Sequence, residues 1–193
     1  MKTFTNPFEI YPEKKLLLIG STFVVITALI ASLSSTLIFG SLKIINNYHQ
    51  TYLQALTNLG ITLVSNIVVL ALYGRIRYAR TRIIDIAAVV LISHIAMYLV
   101  LYLSALPVVQ NAITAVELEI LDKGFQPPQL SNIQMLTLGA YGSITLFLLI
   151  YFFYLVVVGM KVAIHSKSKV DAIAVIAIIF FWNTILQFLN PFI

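Results

Sequence analysis

The sequence contains no cysteine and little charge. None of its 193 residues is Cys, and only 10% are Asp, Glu, Lys or Arg. The lack of cysteine excludes disulfides, iron–sulfur clusters, thiolate zinc sites and cysteine nucleophiles. Soluble domains carry about 25% charged residues, whereas this chain is 60% hydrophobic. A soluble fold of this length could not bury so many apolar side chains, so we interpret the chain as a polytopic membrane protein.

Five long stretches contain no Asp, Glu, Lys or Arg, and each exceeds the roughly 20 residues that a helix needs to cross the hydrocarbon core. Lipid offers the backbone no hydrogen bonds, so each stretch is expected to be helical. The predicted fold class is all-α, a polytopic helical membrane protein with five transmembrane helices in a single membrane domain over residues 1–193. The spans are predicted over about 16–40, 55–74, 83–106, 133–159 and 170–189.

Apolar residues also recur at helical spacing outside these spans, over about 42–54 and 108–122. Both amphipathic segments are expected near the membrane interface. Two capping-box patterns predict where the fourth and fifth spans begin, namely Ser131-x-x-Gln134 and Ser168-x-x-Asp171.

Basic residues are concentrated before the first span and in the second and fourth connections. Only Lys43 and Lys123 fall on the opposite side. The positive-inside rule therefore predicts a cytoplasmic N-terminus and a C-terminus outside, which requires an odd number of spans. We expect a multi-pass protein of the cell membrane, with the bacterial cytoplasmic membrane favoured. The residues on the basic side are Lys2, Lys14, Lys15, Arg75, Arg77, Arg80, Arg82, Lys161, Lys167 and Lys169.

The densest charge lies in the second connection, at Arg75, Arg77, Arg80 and Arg82. The favoured interpretation is topology and contact with anionic headgroups. The alternative is a cytoplasmic docking surface for an acidic partner protein. No nucleic-acid-binding motif accompanies the net charge of +5, so nucleic acid is not an expected partner.

The sequence lacks the patterns of known intramembrane enzymes. It has no His-Glu-x-x-His motif. Ser143 follows a glycine, but no later span contains a histidine to activate it. Asp85 and Asp171 lie at predicted helix starts, where capping explains them. We therefore predict a non-enzymatic protein with no catalytic residues, metal site or cofactor.

His94 is the only ionisable side chain near the middle of a predicted span apart from tyrosines. Such residues are functional hypotheses by default in membranes. The favoured interpretation is a neutral imidazole that hydrogen-bonds between helices, because such bonds are ordinary in helical bundles.

Two polar stripes at helical spacing accompany His94, and amides in hydrocarbon need partners, so both should face the bundle interior. Interhelical hydrogen bonding is favoured, and the alternative is a polar cavity for a small solute or a proton route. That cavity would use Asn66, His94, Asn183 and Gln187. The stripes are Asn58, Thr62, Asn66 and Tyr73 in the second span and Asn183, Gln187 and Asn190 in the fifth.

Small residues recur every four positions in the first span, at Ala28, Ser32, Thr36 and Gly40. This spacing allows helix backbones to approach closely. We expect packing against another span here, or self-association of the protein.

The stretch Gly159–Val175 reads GMKVAIHSKSKVDAIAV. It resembles the junction before the last span in the YIP family, the Ypt/Rab-GTPase-interacting membrane proteins, and especially the short bacterial members. The Asn6-Pro7-Phe8 opening and the basic second connection are similar as well. The resemblance implies five spans and a cytoplasmic N-terminus, but no functional residues.

Eukaryotic members of that family take part in vesicle traffic by binding small GTPases and each other, usually with a long soluble N-terminal region. Only residues 1–15 precede the first predicted span here, so GTPase binding is not carried over. The leading hypothesis is a YIP-like scaffold or partner-binding protein, with a homo-oligomer among the expected assemblies. The alternative is a small transporter or solute-binding membrane subunit.

Overall fold

The computed structural model describes residues 5–124 and 130–188. These residues form seven helices and one two-stranded hairpin. Five of the helices are long and apolar enough to cross a membrane, namely Glu13–Leu33, Tyr52–Arg77, Ile83–Ser104, Asn132–Ala163 and Lys169–Phe188. The predicted all-α fold class with five spans is therefore confirmed, and the chain is a multi-pass membrane protein. The elements are α1 Pro7–Ile10, α2 Glu13–Leu33, β1 Leu37–Ile38, β2 Ile44–Ile45, α3 Tyr52–Arg77, α4 Ile83–Ser104, α5 Pro107–Lys123, α6 Asn132–Ala163 and α7 Lys169–Phe188.

Helix α4 is the centre of the bundle and the most buried of the five spans. Two glycines on its neighbours bring the backbones close together. A Cβ atom on Gly20 of α2 would lie 2.5 Å from the Cβ of Leu91, and one on Gly159 of α6 would lie 2.7 Å from the methyl groups of Val89. Association of helices in lipid depends on such close packing, so these glycines set the distances of α2 and α6 from α4.

The two predicted capping boxes have different outcomes. Ser131 and Gln134 form the reciprocal box at the start of α6, as predicted. Ser168 caps the start of α7 as predicted, because its hydroxyl accepts a bond from the backbone N–H of Val170 at 3.1 Å. The reciprocal half of the predicted box is wrong. The Asp171 carboxylate points into the protein, where neighbouring hydroxyl groups bind it more favourably than a solvated helix end would.

The first span is shorter than predicted, and the segment after it is not a helix. Helix α2 ends at Leu33, and residues 34–51 run as a hairpin in which β1 and β2 pair antiparallel, with Leu37 opposite Ile45. The predicted helical periodicity over 42–54 is therefore wrong up to Thr51, where a capping box begins α3. Helix α5 occupies the other amphipathic segment.

Local chemistry explains why the helix stops. Ser35 and Asn47, on either side of the hairpin, have positive φ angles of 51° and 57°, and Gly40 at its turn has 63°. A helix cannot continue through such residues. The Ser34 hydroxyl also bonds to the Ile30 carbonyl at 2.8 Å, which competes with backbone bonding beyond the helix end. The predicted small-residue face thus includes two residues, Thr36 and Gly40, that lie outside the helix.

The hairpin re-enters the bundle instead of lying at its surface. Thr36, Leu37, Ile38, Phe39 and Ser41 are each no more than 2% exposed. Irregular backbone at membrane depth is tolerated only where protein surrounds it and satisfies its polar groups. The turn of the hairpin therefore needs polar partners from the surrounding helices.

Except for Lys43 in the hairpin and Lys123 at the end of α5, the basic residues of the described chain gather at one end of the bundle, which we call the basic end. The Arg82 guanidinium binds the Glu13 carboxylate at 2.7 and 2.9 Å, which joins the start of α2 to the start of α4. The Tyr78 hydroxyl donates to Asp171, which joins the end of α3 to the start of α7. Consecutive spans therefore run in opposite directions, as five crossings of a membrane require. A cytoplasmic location of this end remains a prediction.

Candidate functional site

The turn of the hairpin lies at the centre of the bundle, beside the midpoint of α4. The Gly40 backbone N–H donates to the Thr62 hydroxyl of α3 at 3.0 Å. The Ser41 backbone N–H donates to Oδ1 of Asn183 on α7 at 2.6 Å. The Ser41 hydroxyl lies 2.7 Å from Nε2 of His94. Three helices therefore hold one turn, and we call Ser41, Thr62, Asn66, His94 and Asn183 the central network.

The hydrogen bonds of the central network fix the state of His94. Its Nδ1 lies 2.7 Å from the Val90 carbonyl, which only accepts, so Nδ1 carries the proton. Nε2 is then the acceptor for the Ser41 hydroxyl. That hydroxyl oxygen in turn accepts from Nδ2 of Asn66 at 3.2 Å. As a neutral ring, the form that burial favours, the imidazole is an acceptor in a continuous hydrogen-bonded chain from α3 to α4.

The two asparagines complete the network. Asn183 donates through Nδ2 to Oδ1 of Asn66 at 2.9 Å and to the Ile179 carbonyl at 2.8 Å. Asn66 donates to the Thr62 carbonyl at 2.7 Å in addition to Ser41. Both amide groups therefore use both of their N–H bonds and their oxygen within the protein. Neither residue has surface that a water molecule can reach.

The structure brings three of the four residues of the predicted cavity site together. Asn66, His94 and Asn183 are neighbours in the central network. Gln187 lies one turn further along α7 and is half-buried. Within the part of the chain that the structure describes, it forms no hydrogen bond with the central network. Asn190, the last member of the predicted stripe, lies outside the described residues.

The rest of the α3 stripe also faces inward. Asn58 is buried, and its Nδ2 lies 3.5 Å from Oε1 of Gln50. Nε2 of Gln50 donates to the Thr36 carbonyl at 2.8 Å. Sequence reasoning did not identify the hairpin residues Ser41 and Gln50 as partners. The pairs of small and polar residues at Gly40-Ser41 and Asn46-Asn47 are the turn signals that could have found the hairpin.

A second polar cluster lies at the basic end, around Asp171. Its carboxylate is 1% exposed and accepts from the hydroxyls of Tyr73 at 2.7 Å and Tyr78 at 2.5 Å, and from Ser166. Nε of Arg77 lies 3.8 Å away. Three hydroxyl donors and one cation compensate the buried charge. The cluster ties the connection between α3 and α4 to the connection between α6 and α7.

The four arginines of the predicted docking surface all project from the basic end and are exposed. Arg82 pairs with Glu13, and its Nε lies 3.9 Å from Asp85. The hydrogen bond to Glu13 and the attraction of Asp85 raise the pKa of Arg82 above its usual value. Within the described chain, Arg75 and Arg80 form no ion pair. Their charge is free for a ligand or a partner.

Two clefts lie at the basic end, and a third lies beside the hairpin. One of about 470 Å³ lies at the basic end between α1, α2, α4 and α6. A second of about 650 Å³ adjoins it across His165. A third of about 300 Å³ lies between the hairpin, α4, α6 and α7, and its lining is mainly apolar. None of the three is lined by Asn66, His94 or Asn183.

Within the described residues, no group of three or more His, Asp or Glu side chains is placed to hold a metal ion. The chain was compared with models of protein families, with curated proteins and with solved structures, and none of the three comparisons gave a match.

Proposed function

We propose that the protein is a non-enzymatic membrane scaffold of the YIP type that binds a partner protein through its basic end. The observation that carries the proposal is the division of polar groups between the two parts of the molecule. In the membrane interior, Asn66, His94 and Asn183 use their hydrogen bonds within the chain. At the basic end, Arg75 and Arg80 are exposed and without an ion pair among the described residues.

The transporter alternative uses the same intramembrane residues as a solute site. A solute site needs a cavity with polar groups that are free to bind the solute. The amides and the imidazole of the central network are bonded to each other and to the hairpin turn, and none of the three clefts reaches Asn66, His94 or Asn183. The network is therefore better explained as the structure that holds the hairpin in the bundle.

Exposed arginines at a cytoplasmic membrane surface suit a partner with an acidic face. Arg binds carboxylates through two parallel N–H bonds, which gives geometric specificity as well as attraction. Charge complementarity also speeds the encounter of two proteins. We place the protein in a bacterial-type cytoplasmic membrane, with the basic end in the cytosol.

The experiment is site-specific photo-crosslinking in cells. A photoreactive amino acid replaces Arg75 at the basic end, and in the matched control it replaces Lys123 at the opposite end of the bundle. We expect a discrete protein adduct from the first position only. The adduct should be lost with the added substitution Arg80→Glu and should weaken as salt is raised.

Two results would contradict the proposal. One is crosslinking to lipid alone from position 75. The other is uptake of a solute by proteoliposomes that stops when Asn66 is replaced by leucine in a protein that still folds. Uptake of this kind would assign the central network to transport.

A further inference from the structure

We infer that the cleft of about 470 Å³ at the basic end binds the zwitterionic headgroup of a phospholipid that carries both a phosphate and a primary amine. This inference goes beyond the proposed partner-binding function and shares only Arg80 with it. It follows from the charges at the rim of the cleft, the apolar cluster beneath it and its depth in the membrane.

The rim of the cleft carries charges of both signs. Glu13 and Arg82 neutralise each other through two hydrogen bonds. Asp85 is held less fully, since Nε of Arg82 lies 3.9 Å away. Arg80 makes no ion pair with any described residue, and the His165 side chain is exposed beside it. A free cation and an incompletely neutralised carboxylate thus face the same space.

This arrangement matches a zwitterion better than a simple anion. A phosphate would receive charge-assisted hydrogen bonds from Arg80 and from His165. A primary ammonium would donate to the carboxyl groups of Asp85 and Glu13, which contact each other and share the single guanidinium of Arg82. A headgroup without an amine would leave Asp85 next to a second negative charge, which is unfavourable.

The floor of the cleft is apolar, which favours a lipid over a free phosphoamine. Leu16, Ala88 and Ile92 form a buried cluster below it, and side chains from α1, α2 and α4 pack against that cluster. The rim lies where α2 and α4 begin, at the level expected for lipid headgroups. The volume is in the range of small-molecule sites. A soluble headgroup fragment would gain nothing from the apolar floor.

The test is a titration of the purified full-length protein in detergent, followed by native mass spectrometry. The probes are phosphatidylethanolamine and phosphatidylglycerol with the same acyl chains. We expect tighter binding of phosphatidylethanolamine, and the substitution Arg80→Ala should weaken it by about tenfold, as loss of a charge-assisted contact predicts. The matched control Arg75→Ala removes an exposed arginine at the same end that does not line the cleft, and should leave binding unchanged.

Two further arms separate the contributions. Asp85→Asn should weaken phosphatidylethanolamine binding and strengthen phosphatidylglycerol binding, because it removes a negative charge that attracts the amine and repels a lone phosphate. Soluble glycerophosphoethanolamine should not displace the lipid at equal concentration. Displacement at equal concentration would assign the site to a free phosphoamine and overturn the lipid assignment. Equal binding of the two lipids, or equal effects of Arg80→Ala and Arg75→Ala, would overturn the site itself.

A crosslinking measurement keeps the inference testable if a variant fails to fold. A photoreactive amino acid in place of Tyr11, which lines the cleft, should give an adduct with phosphatidylethanolamine in native membranes. The same group in place of Tyr52, at the start of α3 and outside the cleft, is the control. Adducts of equal yield and composition at the two positions would contradict the inference.

Discussion

Replacing Asn183 by alanine would remove the side chain that holds the hairpin turn to α7. The Ser41 backbone N–H would lose its acceptor at 2.6 Å, and Oδ1 of Asn66 would lose its donor at 2.9 Å. A buried polar group left without a partner costs about 1–3 kcal/mol. An interhelical hydrogen bond in a membrane contributes about 0.6 kcal/mol on average. We therefore expect the free energy of unfolding to fall by about 2–4 kcal/mol.

The assay is unfolding in SDS, followed by far-ultraviolet circular dichroism. Fluorescence of the single tryptophan is unsuitable, because Trp182 is adjacent to the substituted residue. The matched control is Gln187→Ala, which removes an amide one turn away on the same helix but outside the central network. That substitution should change the stability by less than about 0.5 kcal/mol.

A double-mutant cycle measures the coupling directly. Asn66→Ala and Asn183→Ala remove two ends of the same hydrogen bond, so their effects should fall short of additivity by about 0.5–2 kcal/mol. Amide hydrogen exchange at Ser41 should also accelerate in the Asn183 variant, because its backbone N–H loses its partner. If Asn183→Ala and Gln187→Ala unfold at the same SDS fraction, the network does not hold the hairpin, and the reasoning is refuted.

Three other tests address the remaining packing and topology. Asp171→Ala leaves three hydroxyl groups without their shared acceptor and should lower the free energy of unfolding by about 2–3 kcal/mol in the same assay. Gly20→Ala places a methyl group against α4 and should lower the free energy of unfolding by about 1–3 kcal/mol. In the control Gly60→Ala the methyl group meets open space and should raise the free energy of unfolding by about 0.5–1 kcal/mol. Equal effects of the two substitutions would contradict the close packing of α2 and α4. Because the chain has no native cysteine, Arg75→Cys and Lys123→Cys can be labelled with an impermeant maleimide in intact cells, and only the second should react; labelling of the first would reverse the predicted orientation.

The five spans could be predicted because the signal for each is contained in one stretch of chain. Lipid requires about 20 apolar residues per helix, and charge marks the ends of such stretches. The α6 capping box is equally local, since Ser131 and Gln134 contact each other within one turn. The inward orientation of Asn58, Thr62 and Asn66 also follows from their spacing, because amides in hydrocarbon must find partners.

The sequence by itself thus determined the number of membrane spans, the approximate bounds of most of them and the clustering of basic residues at one end. Only the tertiary structure decided that residues 34–51 enter the bundle, since that path depends on partners supplied by α3, α4 and α7. It also decided that Asp171 binds the hydroxyl groups of two distant tyrosines and that His94 is hydrogen-bonded to Ser41. Patterns of apolar and charged residues indicate whether a segment lies in lipid or in water. The positions of polar groups inside a membrane depend instead on the partners that the folded chain brings within hydrogen-bond distance.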